Sequence, residues 1–124
     1  MDKTFAILGA FFMVLGVGAG AFGAHALSDH FDKMPHLEST YLTAVRYHLI
    51  HGLALFAVAW AAVRWPGNLV NSAGYLIVAG IVIFSGSLYL LSVTDVKWLG
   101  AITPLGGVAF IAGWILLAVA IWRG

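Results

Sequence analysis

Four long apolar runs joined by shorter polar links decide most of what this chain can become. They cover about residues 5–27, 42–63, 69–93 and 98–122. At about 1.5 Å per residue each run makes a helix of ~33–37 Å, enough to cross a ~30 Å hydrocarbon layer with some tilt. Arg46 is the only Asp, Glu, Lys or Arg inside any of them. Lipid offers no partner to an open backbone, so each run is expected as a helix. No stretch shows the ten-residue alternation of a barrel strand. Of the 124 residues 62% are hydrophobic and 9% charged, against roughly 25% charged in soluble domains, so water cannot be the solvent for most of the surface.

The expected fold is therefore an all-α membrane protein. It is one domain over 1–124, with four antiparallel transmembrane helices in a compact bundle. The links at Arg64–Asn68 and Thr94–Lys97 are short and force neighbouring helices to run antiparallel. Only Ser28–Tyr41 reads as a real loop, polar and charged. Pro35 suits the first turn of a helix, which lets span two begin early as an interfacial helix through Leu37 and Tyr41. Thr103-Pro104 admits two structures. Pro104 kinks a helix begun at Trp98, the reading favoured here, or it opens a helix capped by Thr103. Lys3 before an apolar run, with Ala24-His25-Ala26, also fits a signal peptide, but the run exceeds a usual signal core.

Charge excludes some functions and weakly orients the chain. The net charge is +1 with no Lys/Arg cluster, so there is no footprint for nucleic acid. Cysteine is absent, which removes disulfide, iron–sulfur and thiol chemistry. Lys3, Arg64 and Arg123 lie on the side of the termini, against Lys33 and Lys97 on the side of the loop once the intramembrane Arg46 is set aside. Both termini are expected in the cytoplasm of a bacterial inner membrane.

Polar groups collect at the loop-side ends of the spans: His25 in span one, Arg46, His48 and His51 in span two, Ser85, Tyr89 and Ser92 in span three, and Thr103 in span four. Arg46 is shallow enough to snorkel, whereas His51 lies ~14 Å inside, where an ionisable group is a functional candidate by default. Neutral histidine bonded to a neighbouring helix, a haem or metal site, and a contact for a quinone or lipid headgroup all remain open. No carboxylate lies in any span to complete a hard-metal site. Gly16, Gly20, Gly23 and Ala24 in span one form small-xxx-small pairs that let another helix approach, within the chain or in a second copy.

Four of these stretches, GAFGAHAL (Gly20–Leu27), TAVRYHLIH (Thr43–His51), FSGSLY (Phe84–Tyr89) and WLGAITPLGG (Trp98–Gly107), resemble the bacterial membrane family called domain of unknown function 423. Its eukaryotic relatives are called transmembrane protein 256. The resemblance implies a small multispanning inner-membrane protein and no particular activity. It singles out His25, Arg46, His51 and Thr103 as a shared site.

Three functions are then open. The first is a non-enzymatic accessory or assembly subunit of a larger complex, or a lipid- or quinone-binding module, its polar site facing the loop side. The second is a small dimeric transporter, although no carboxylate lies within a span. The third is a redox protein holding haem or metal on His25, His48 or His51. No nucleophile, base and carboxylate can be assembled inside the bundle for hydrolysis.

Overall fold

The computed structural model describes all 124 residues and contains no strand. Helix α1 (Lys3–His25) starts at Asp2, whose carboxylate accepts from Phe5 N at 3.0 Å in an ordinary N-cap. The Asp2 N–H donates to the Ala59 carbonyl at 2.7 Å, which pins the start of α1 to the next long helix. The segment read as a loop is largely ordered: it contains a six-residue helix, α2 (Ser28–Lys33), folded over the bundle end. Phe31 packs there on Leu37, Tyr41 and Val45. Polar residues pointing to solvent hid this one-turn amphipathic cover.

Helix α3 (Pro35–Arg64) is the early start expected of Pro35, 30 residues long and ~45 Å. It stops where Pro66 forbids continuation: Trp65, before the proline, leaves the helical region at φ −133° and ψ 69°. Gly67 then turns the chain at φ 148°, a backbone that strains any side chain. The third span divides into α4 (Asn68–Gly80), a π-helical turn over Ile81–Ser85, and α5 (Gly86–Thr94). Periodicity gave no warning of the π turn. It adds one residue to the helix and so changes the phase of every side chain beyond it. Helix α5 ends at Asp95, in the left-handed conformation at φ 56°.

Lys97–Ala101 form a 3₁₀ turn, and α6 (Thr103–Arg123) follows with Pro104 in its first turn. The favoured kink is thus replaced by a helix start, and Thr103 does not cap it. Its hydroxyl instead reaches back to the Leu99 carbonyl at 3.4 Å and across to Ser87. Placing proline where its missing N–H is harmless avoids breaking a helical bond in lipid.

Helix α1 lies almost wholly on α3, and α6 on α4 and the π turn, while α3 also packs along α4 and α5. Glycines set these approaches. A Cβ on Gly16 would lie 2.7 Å from Leu49 Cδ2, and one on Gly106 would lie 2.7 Å from Phe84 Cα. Gly23 meets the Tyr41 ring and Gly20 faces Val45, so these small residues serve packing within the chain; Ala24 is exposed. The apolar core, with Phe5, Leu55, Val58, Ile77, Phe110 and Leu117, fills the half away from α2. Outside, large apolar side chains are bare on all four spans (Val14 72%, Leu105 65%), a surface that fits lipid. All four spans are long and apolar enough to cross a membrane.

Candidate functional site

Every buried polar side chain sits in the half capped by α2: His48, His51, Ser85, Ser87 and Ser92. Nearest the end, His30 Nε2–H of α2 donates to the Ser92 carbonyl at 2.8 Å, and His36 pairs with Asp95 at 3.6 Å. Ser92 Oγ turns back to the Tyr89 carbonyl of its own helix, so only its backbone bonds to another element. The Tyr41 hydroxyl donates to the Ala19 carbonyl across the seam made by Gly23.

One turn deeper, Ser85 Oγ donates to the Ala44 carbonyl at 2.9 Å, fully buried between α3 and the π turn. Ser87 and Thr103 are 2.6 Å apart across α5 and α6. Each hydroxyl has one proton, and each also faces a carbonyl, Phe84 at 3.0 Å and Leu99 at 3.4 Å respectively. The shorter distances assign Ser87 to Phe84 and leave Thr103 as the donor to Ser87.

His51 is the deepest of the five histidines. Its Nδ1 lies 2.8 Å from the Tyr47 carbonyl, which can only accept, and its Nε2 lies 3.0 Å from Trp114 Nε1, which can only donate. These two partners fix a neutral ring with the proton on Nδ1. The ring stacks on Phe110 at 3.6 Å between centroids. His48 Nδ1 meets the Tyr89 hydroxyl at 2.8 Å, and its Nε2 is the one buried side-chain polar atom with no hydrogen-bond partner. Tyr89 as donor leaves one group unpaired; the reverse arrangement leaves two, so Tyr89 gives its proton to His48.

Of the residues singled out by sequence, His48, His51, Ser85, Tyr89 and Thr103 are brought into this layer. His25 and Arg46 stay outside it, exposed on α1 and α3. Arg46 shares its outer stripe with Leu42, Ile50, Leu53 and Trp60, facing lipid. His48 addresses α5, His51 addresses α6, and His25 ends α1, so the three histidines considered for haem or metal do not converge. No three His, Asp or Glu side chains come together anywhere in the chain. Sequence reasoning missed Tyr41, His30 and above all Trp114. The signal for Trp114 was its position: a tryptophan at mid-span is away from the interfacial belts, so its indole N–H needs a partner.

Fold and polar layer together define a class, the small polytopic helical membrane protein built almost entirely of its four spans. The chain belongs to the family described as "Protein of unknown function (DUF423)", whose profile matches residues 19–107. That stretch holds every residue of the polar layer except Trp114. The chain is 54% identical over 123 residues to UPF0382 membrane protein YwdK of Bacillus subtilis, covering 95% of each sequence. It is 48% identical to a UPF0382 membrane protein of Staphylococcus aureus, covering 98% of this chain and 97% of the relative. No solved structure matches it.

Proposed function

We propose that this protein is a non-enzymatic membrane module, an accessory or assembly subunit that docks onto a larger membrane complex through its apolar flanks. What supports this is the direction in which its polar groups turn. Most of its buried polar side chains bond to side chains or carbonyls of a neighbouring helix, and no buried polar side chain lies beyond His51. A polar path across the bundle is therefore missing within one copy, while the outer faces, least covered on α1, present broad apolar surface. The polar layer serves as the latch that gives this surface a fixed shape. We place the module in the bacterial plasma membrane with both termini cytoplasmic, on the excess of Lys3, Arg64 and Arg123 over Lys33 and Lys97.

Native mass spectrometry after extraction from the protein's own membranes in a mild detergent tests this. The expected species carries a different polypeptide in addition to the 13.2 kDa chain. A bare chain, or a simple multiple of it, overturns the accessory role. Substrate or proton flux in proteoliposomes holding this protein alone replaces it with the transporter reading.

A further inference from the structure

The end of the molecule opposite the polar layer holds an open cleft of about 470 Å³ between the α3–α4 turn and the last turn of α6. Arg64, Trp65, Asn68 and Arg123 give it a polar rim. Arg64 and Arg123 are the last residues of α3 and α6, where a cation is favoured by the helix dipole. Both are exposed, and neither makes an ion pair; the only pair in the chain joins His36 to Asp95 at the far end. No Asp or Glu side chain lines the cleft.

The geometry around Arg64 prepares it for an acceptor. Its guanidinium lies 5.3 Å over the Trp65 ring, and that ring meets Trp60 edge-on at 5.2 Å. A guanidinium beside an indole face makes no hydrogen bond to it, so its N–H groups stay free, and their fork matches two oxygens of one phosphate. The Trp60–Trp65 pair marks the headgroup level of the membrane, where amphipathic rings settle. Two unpaired forks thus open on one cleft at the depth where phosphates are dense.

We propose that this cleft binds a phosphate group through Arg64 and Arg123, presented by an anionic phospholipid headgroup or as free phosphate. The site is separate from the polar layer and does not depend on the accessory role. The test is native mass spectrometry of the delipidated full chain in mild detergent, with phosphatidylglycerol or diacylglycerol added. Wild type should keep one phosphatidylglycerol under activation that strips diacylglycerol. Arg64→Gln/Arg123→Gln should lower the retained fraction about tenfold. Arg46→Gln, an exposed arginine in the other half, should leave it unchanged. Displacement of the lipid by millimolar sodium phosphate identifies free phosphate as the better occupant; retention identifies the lipid. Should the Gln pair extract poorly, Arg64→Lys/Arg123→Lys, which keeps both helix-end charges and loses both forks, carries the same comparison. Equal retention by wild type and the altered pair, or equal retention of diacylglycerol, overturns the site.

Discussion

Replacing Trp114 with Phe keeps an aromatic ring on α6 and removes the single proton that His51 Nε2 accepts at 3.0 Å. The imidazole cannot turn away to find another donor. Its Nδ1–H is held by Tyr47 at 2.8 Å, and its face lies on Phe110 at 3.6 Å. The residue is 5% exposed, so neither water nor a headgroup reaches the bare nitrogen. A hydrogen bond between membrane helices is worth ~0.6 kcal/mol on average and ~1.7 at most. Leaving a buried acceptor unpaired costs ~1–3 kcal/mol. The expected loss is ~1–2 kcal/mol, a factor of about 5–30 in the folded population. Steric trapping in bicelles measures it, and a double-mutant cycle with His51→Phe should return a coupling of ~0.6–1.7 kcal/mol. Nitrogen-15 NMR of the imidazole should show the proton on Nδ1 in wild type. A Trp114→Phe loss below ~0.3 kcal/mol, within the usual limit of additivity, or a wild-type proton on Nε2, refutes the assignment.

The same unfolding assay checks the helix seams. Gly106→Ala drives a Cβ against Phe84 Cα at 2.7 Å, where backbone faces backbone, and should destabilise by ~1–3 kcal/mol. Gly18→Ala enters open space and should be neutral or stabilise by up to ~1 kcal/mol through helix propensity. Ser85→Ala removes the bond to the Ala44 carbonyl and should lose ~0.6–1.7 kcal/mol, with a larger loss only if the π turn relaxes as well. His36→Asn breaks the half-exposed pair with Asp95 and should leave the unfolding midpoint unmoved in high salt.

Architecture was legible in the sequence because lipid allows few solutions. Four long apolar runs, charged only at Arg46, and two short links leave little but an antiparallel helical bundle, and Pro35 marks its helix start in the plain chemistry of a missing N–H. The clustering of polar residues at one end was equally plain. What could not be read was which group meets which. His48 and His51 stand three residues apart on one helix, yet they turn to different neighbours because the contacts on α5 and α6 are set by tertiary packing. The π turn at Ile81–Ser85 adds to this: a phase change of one residue is invisible to a periodicity argument, and it decides where Ser87 and Tyr89 point. Thr103 was read as a possible cap from its place before Pro104, but its hydroxyl donates to Ser87 instead. His25 and Arg46 sit in the same polar band by sequence and outside it in space, since depth along a helix says nothing about the face presented.

The pairing of α1 with α3 and of α4 with α6 bears on how the molecule is assembled during synthesis. Each pair is a helical hairpin closed on a glycine seam between segments near in sequence, so each can form as its second helix enters the bilayer. The side-chain bonds are distributed differently. Ser85 to Ala44, Tyr89 with His48, Trp114 to His51, His30 to Ser92 and His36 with Asp95 all join one hairpin to the other. Of the side-chain bonds between different spans, Tyr41 to Ala19 and Ser87 with Thr103 stay within a hairpin. The chain is thus a pair of half-proteins in tandem, mated by a shared apolar core at one end and by a polar zip at the other.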